Sequence, residues 1–119
     1  MKNKLLVPTL SALLLTSVIS VPQASATNIA RSICEYVAAD DKRRMRSFLR
    51  TNQLKIRSIF SDIKCNGSNL LVFAAAQGSI ETGTLMISKL PKRVVQKNLE
   101  LIQSGPQPLI DKANERISG

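Results

Sequence analysis

The sequence predicts an all-α fold, a small bundle of five to six short helices packed as hairpins and closed by one disulfide. Apolar residues recur every three or four positions through most of the 119 residues, as they do on the buried face of a helix. Glycine and proline separate these periodic segments, and the chain contains only two cysteines. Neither a low-complexity stretch nor a polar linker divides the sequence into two domains.

Residues 1–26 have the composition of a signal peptide. Two lysines precede an almost wholly apolar run over residues 5–21, and Ala-Ser-Ala at residues 24–26 matches the A-x-A cleavage signal. We expect cleavage after Ala26, which leaves residues 27–119 as a single helical domain in the periplasm or outside the cell. The alternative is an uncleaved membrane anchor, but the run is shorter than the roughly 20 apolar residues that span a membrane. No transmembrane segment is therefore expected in the mature chain.

Cys34 and Cys65 are expected to form a disulfide. Both lie beyond the cleavage site, and an exported chain with an even number of cysteines normally pairs them in an oxidising compartment. A redox or metal site is the alternative, yet the two residues do not form a C-x-x-C motif and the chain has no histidine to complete a zinc site. Closing this loop restricts the unfolded chain, which we expect to contribute roughly 3 to 4 kcal/mol to stability.

Helical spacing defines three segments in the first half of the chain. Residues 28–39 carry an apolar stripe, and Asp40 or Asp41 then begins a second helix that buries a narrow apolar edge. The secondary structure of residues 54–64 is ambiguous. Apolar and charged residues alternate over residues 54–57, as in a strand, and the Asn-Gly that follows at residues 66–67 is a hairpin signal. Their apolar residues nevertheless fit i, i+3, i+4 and i+7, so a helix is favoured.

Capping and stop signals define the helices of the second half. Ser68 or Asn69 can cap a short apolar helix that Gly78 ends, and the next helix ends at Pro91. Two more periodic segments follow, and Gly-Pro separates them. The three alanines Ala74–Ala76 are small enough to let a neighbouring helix backbone approach closely.

Two helix hairpins in the chain have similar patterns. At an offset of 37 residues Tyr36 pairs with Phe73 and Phe48 with Leu85, which predicts that two hairpins of one design stack. The stretch Gly67–Glu81 also resembles an ankyrin repeat in its glycine, leucine and alanine positions. It lacks the Thr-Pro and His of that repeat, and at most two units fit where an ankyrin array needs about three. The expectation is ankyrin-like or helical-repeat-like packing of hairpins.

Three short motifs give the chain a family resemblance. They are Cys-Glu-Tyr-Val at residues 34–37, Asp-Asp-Lys at 40–42, and Cys-Asn-Gly at 65–67 followed by an apolar run. With these motifs, residues 33–91 resemble the exported bacterial domain of unknown function 3718. The resemblance implies a secreted domain with no assigned activity, in which both cysteines are important. Residues 92–119 lie outside it and are interpreted as a helical C-terminal extension.

The sequence contains little that could support catalysis. There is no histidine, both cysteines are better used in a disulfide, and no nucleophile elbow, phosphate loop or dinucleotide fingerprint is present. Asp40 and Asp41 are adjacent at a helix start, and the other carboxylates are scattered along the chain. We therefore expect no catalytic residues, no cofactor and no metal site. A hydrolase that uses two carboxylates is the least favoured alternative.

Positive charge is the strongest functional signal. Because two lysines lie in the signal peptide, its removal lowers the formal net charge from +9 to +7. Arg43, Arg46 and Arg50 lie at i, i+3 and i+7 on the second helix and should share one face, and Lys55 and Arg57 follow. Arginine forms paired hydrogen bonds with phosphate and carboxylate, so this face is suited to anionic envelope lipid, lipopolysaccharide or an acidic protein.

Two other interpretations remain open. The arginine face has the charges of an ordinary solvated surface on a basic protein. A structural or assembly subunit works instead through an exposed apolar patch. Nucleic acid is not expected as a partner, because the few aromatic residues lie at core-facing spacings and the chain is exported. The favoured function is a non-catalytic binding or interaction module.

Overall fold

The computed structural model describes residues 21–119, with side-chain surroundings from Ala26 onward. Residues 1–20 of the predicted signal peptide, residues 1–26, lie outside this range. Within it the all-α prediction is confirmed, with seven α-helices instead of five or six. The helices are α1 (Val21–Ala38), α2 (Lys42–Thr51), α3 (Ile56–Ile59), α4 (Leu70–Gln77), α5 (Ile80–Lys89), α6 (Lys92–Asn98) and α7 (Gln107–Ser118). Two 3₁₀ turns, Phe60–Asp62 and Glu100–Ile102, and two short strands, β1 (Lys64–Cys65) and β2 (Ser68–Asn69), complete the chain.

The sequence left two adjacent candidates for the N-cap of each of two helices, and the structure selects the second candidate in both. Asp41 is the N-cap of α2, because its carboxylate accepts a hydrogen bond from the Arg44 backbone N–H at 3.0 Å. Asn69 caps α4 in the same way, and its side-chain oxygen accepts from the Val72 N–H at 2.9 Å. Gly78 ends α4 with a φ of 74°, the left-handed conformation that glycine adopts without strain.

The start of α1 differs from the prediction. The helix already includes Val21, the first described residue, and runs through the predicted cleavage site, whereas the apolar stripe predicted a start at residue 28. Its first residues with described side chains, residues 26–28, are exposed, and Ile29 is the first that packs against the core. No helix in the described part of the chain is both long and apolar enough to cross a membrane.

The predicted helix over residues 54–64 is only partly correct. One turn of α-helix and one of 3₁₀-helix form, but Lys64 and Cys65 belong to β1, which pairs antiparallel with β2. Asn66 and Gly67 both have positive φ, 53° and 81°, as a two-residue type I′ hairpin turn requires. The Asn-Gly signal therefore determined the end of this segment, and helical spacing determined its start.

Two helix hairpins stack as predicted. The α1–α2 hairpin lies against the α4–α5 hairpin, with α1 on α4 and α2 on α5, and α7 covers α5 and α6. The two hairpin turns are alike: the Asp41 N–H donates to the Tyr36 carbonyl, and the Ser79 N–H donates to the Ala74 carbonyl, both at 2.8 Å. These turns place Asp41 and Ser79 in equivalent positions, so the structural offset is 38 residues and the alignment at 37 was wrong by one.

Asp40 joins the two hairpins. It lies in the α1–α2 turn at a φ of 53°, and its carboxylate accepts hydrogen bonds from the backbone N–H groups of Glu81 and Thr82 at 3.1 and 2.7 Å. These donors belong to the first turn of α5, which has no side-chain cap from Ser79. The Ser79 hydroxyl instead donates to the Val37 carbonyl at 2.5 Å. The first hairpin therefore caps the second one.

The core lies between the two hairpins and α7. Its fully buried apolar side chains come from these elements, from α6 and from the second 3₁₀ turn: Ile33, Val37, Met45, Leu70, Leu71, Ala74, Met86, Ile87, Leu90, Val95, Ile102, Leu109 and Ala113. The alanines of α4 were expected to let a neighbouring helix backbone approach closely. At Ala75 a backbone does approach closely, but it is that of Gly105, in the loop before α7. A Cβ at Gly105 would lie 2.7 Å from the Ala75 Cβ, so only glycine fits there.

The disulfide between Cys34 and Cys65 is present, and it ties α1 to β1 across 31 residues of sequence. We predict that replacing both cysteines by serine lowers the free energy of unfolding by about 3 to 4 kcal/mol, because the unfolded chain gains the entropy of an open loop. Urea denaturation of the oxidised protein, the reduced protein and the double variant measures this loss. The reduced protein should match the double variant, and equal midpoints for the oxidised and reduced forms would contradict the prediction.

We predict that Asp40→Gly destabilises the protein by about 1 to 2 kcal/mol, because it removes the acceptor that caps α5 while glycine suits the positive φ. The matched control is Gln53→Gly. Gln53 also has a positive φ, 55°, and its side chain is exposed. Thermal unfolding should show the control unchanged or slightly more stable. If both variants behave alike, Asp40 does not join the hairpins through its side chain.

Candidate functional site: a basic groove beside helix α2

The structure places Arg43, Arg46 and Arg50 together on the exposed side of α2. All three are exposed, and with Lys42 they line one shallow depression of the surface. This arrangement arises because α2 buries Met45 and Leu49 on its inner side, which leaves the arginines on the outer side. The prediction that these arginines share a face is therefore confirmed.

A larger groove, about 520 Å³ in volume, lies beside this face between α2, α3, α5 and the end of α7. We call it the basic groove. Its charged lining consists of six cations and no carboxylate: Arg46, Arg50, Lys55, Arg57, Lys89 and Arg116. Its apolar lining consists of Leu49, Leu54, Ile56 and Leu85, and Ser88 completes it. Arg43 lines only the neighbouring depression.

The cations of the basic groove are not neutralised by carboxylates of the described chain. Three ion pairs occur within residues 21–119, Lys42–Glu81 at 3.2 Å, Arg44–Asp41 at 3.6 Å and Lys112–Glu115 at 3.1 Å, and none includes a groove residue. Like charges that share a concave surface add their potentials, which concentrates anions there. The groove is therefore a site of positive potential on a basic protein.

Arg116 is the most constrained of the six cations. Its Nη2 donates a hydrogen bond to the Leu90 carbonyl at 3.0 Å, which fixes the guanidinium at the edge where α5 ends. Its Nε is shielded from solvent and has no hydrogen-bond partner among the described residues. The hydrogen bond to Leu90 therefore sets the position of this guanidinium in the groove lining.

The four apolar lining residues are more buried than the exposed cations around them, and we call their surface the floor of the groove. Leu49 and Ile56 belong to the core and are only 9% and 3% exposed. Leu54 and Leu85 are half-buried, so they alone offer appreciable apolar surface to a ligand. The Ser88 hydroxyl already donates to the Leu85 carbonyl at 2.6 Å and is therefore not a free donor.

Sequence reasoning found one side of the groove and missed the other. Lys55 and Arg57 were noted because they follow α2 closely in sequence. Lys89 and Arg116 were missed, since they come from the ends of α5 and α7, far along the chain. Only the packing of α5 against α7 and against α2 brings them to this site, and no local pattern predicts it.

A family model described as "Protein of unknown function (DUF3718)" matches residues 33–100, more than half of the chain. The chain belongs to this family. The match extends beyond Pro91, where the sequence resemblance was expected to end, and includes α6. Both cysteines and every groove residue except Arg116 fall within it. Comparison with curated proteins and with solved structures gave no match.

An exposed apolar patch, as expected for an assembly subunit, is not a feature of the described surface. Among residues 26–119, Leu101 is the single large hydrophobic side chain with high exposure, at 60%. Single exposed hydrophobic residues are normal on soluble domains. The basic groove is therefore the surface feature that most needs a functional explanation.

Proposed function

We propose that the protein is an exported, non-catalytic binding module that holds an anionic partner in the basic groove. The observation that carries the proposal is the set of six cations around one concavity, none of them paired with a carboxylate of the described chain. A solvated basic face needs neither a concave shape nor an apolar floor. The combination of charge and shape favours a ligand.

Arginine chemistry supports this function. Four of the six groove cations are arginines, and the planar guanidinium forms two parallel hydrogen bonds with a carboxylate or a phosphate. Exposed cations steer anionic partners toward the groove and increase the association rate at low salt. Arg43 lies just outside the groove on the same face of α2, where it extends the positive surface.

The roles of the acidic residues support a function without catalysis. Asp40 and Asp41, the adjacent pair in the sequence, both accept backbone hydrogen bonds at helix starts. Neither lines the basic groove, and the chain contains no histidine that could serve as a general base there. The groove offers positive charge and apolar contact, which are suited to binding.

Export is supported by the A-x-A signal and by the disulfide, which persists in oxidising compartments. Core packing among the described residues begins at Ile29, so cleavage after Ala26 removes none of the described core residues. We predict that the protein recovered from the periplasm or medium begins at Thr27. Intact-mass measurement of the non-reduced protein tests this, and should also show the loss of two hydrogens that a disulfide causes. Full-length protein in the cytosol would contradict it.

We predict that the groove binds anionic surfaces in a salt-dependent manner. The probes are vesicles of phosphatidylglycerol and phosphatidylcholine, purified lipopolysaccharide, and immobilised poly-glutamate. Retention on at least one probe should fall strongly between about 0.02 and 0.3 M salt, because the Debye length shortens. The variant Arg46→Glu/Arg50→Glu should lose this retention.

The matched control is Arg93→Glu/Lys97→Glu on α6, which changes the net charge equally at exposed positions outside the groove. It should retain at least half of the wild-type binding, since it leaves the groove cations intact. The proposal is wrong if no anionic probe binds, or if the groove variant and the control lose binding to the same extent.

A further inference from the structure

The basic groove contains two kinds of contact surface, and together they define its occupant. We infer that the occupant is an acidic segment of another protein that places one or two aliphatic side chains on the groove floor between its carboxylates. This inference rests on the proposed function, in which the groove holds an anion, and it names the chemistry of that anion.

The floor argues for a ligand with an apolar part. Leu54 and Leu85 are half-buried at the base of a groove whose walls carry charge. A ligand that consists only of charged groups leaves these leucines in contact with water, whereas an aliphatic side chain removes their surface from water. Burial of apolar area contributes about 25 cal/mol per Å², so two leucines can add tenfold or more to affinity.

The same floor is too small for a lipid acyl chain. The other two apolar lining residues, Leu49 and Ile56, are nearly covered by the core and add little surface. A lipid tail binds firmly only when it buries many CH₂ groups. One or two side chains of a peptide match an apolar surface of two leucines, and a long hydrocarbon chain does not.

The lining also argues against nucleic acid. Single strands bind to platforms of aromatic side chains on which the bases stack. No aromatic residue lines the basic groove. Its six cations without aromatic residues match carboxylates spread along a peptide, each of which can form paired hydrogen bonds with one arginine.

A second copy of this chain is a poor occupant. After removal of residues 1–26 the chain still carries a formal net charge of +7, so two copies repel each other. Several of its carboxylates are also engaged: Glu81 and Glu115 form ion pairs with lysines, and Asp40 caps α5. The acidic segment must therefore come from a different protein.

Arg116 gives the site a fixed polar anchor. The Leu90 carbonyl holds its guanidinium, and its shielded Nε lacks an acceptor among the described residues. A carboxylate that pairs with this guanidinium meets a side chain that is already ordered, which lowers the entropic cost of binding. The other five groove cations, Arg46 and Arg50 among them, are exposed and supply the remaining charge.

The test compares two fluorescent peptides by anisotropy with the mature, oxidised protein. One is a short segment of Glu and Asp that contains two leucines, and the other is its twin with both leucines replaced by serine. We expect the leucine peptide to bind about tenfold more tightly than its twin. Because this comparison changes only the ligand, it does not depend on any variant folding correctly.

Protein variants locate the apolar contact. Leu54→Gln/Leu85→Gln should bring the two peptides to within about twofold of each other, and Leu101→Gln, at an exposed leucine outside the groove, should preserve the tenfold difference. Circular dichroism checks that each variant folds. If the leucine pair does not fold, Arg116→Gln replaces it and should weaken both peptides by about tenfold, and unchanged affinity would overturn the inference.

The remaining outcomes separate this inference from the proposed function. Equal affinity for both peptides, or binding of phosphatidylglycerol vesicles without binding of either peptide, overturns the inference and leaves an anion-binding groove. Loss of binding to every anionic probe overturns both. A leucine preference that persists in Leu54→Gln/Leu85→Gln places the apolar contact elsewhere and also overturns the inference.

Discussion

The covalent bond between Cys34 and Cys65 is the constraint on which the rest of the structure depends. It joins the C-terminal half of α1 to the β-hairpin that precedes α4, so the two helix hairpins stay tethered to each other as long as the bond is intact. A domain of this size buries a limited core, and its net stability is a few kcal/mol, the same order as the contribution of one disulfide. The bond therefore accounts for a large share of what keeps α1 in place.

The position of α1 determines the basic groove. Only three residues separate α1 from α2, and within them Asp40 caps α5. Fixing α1 thus sets α2 against α5, which brings Arg46 and Arg50 into the same groove as Lys89. Helix α7 packs on α5 and brings Arg116 to the same concavity. The groove is a consequence of how the hairpins stack, and its charge comes from residues that are free to point outward.

Local physical rules predicted much of this structure, and long-range packing supplied the rest. The Gly78 stop, the shared arginine face and the two caps, each narrowed to a pair of adjacent residues, follow from residues within one or two helical turns, so the sequence predicts them. The strand at Lys64–Cys65 was not, because helical spacing and the Asn-Gly turn compete there and the turn determines the final residues. Lys89 and Arg116 join the site through tertiary contacts that no sequence period encodes.

Native-state hydrogen exchange tests most directly the claim that the disulfide holds α1 on the body of the domain. Exchange at a protected amide reports the free energy of the opening that exposes it. The account predicts that reduction accelerates exchange of the α1 amides by about 100-fold or more. Helix α1 packs on α4, so exchange of the α4 amides should also become faster. Rates in α1 that agree within about twofold between the oxidised and reduced protein would contradict it.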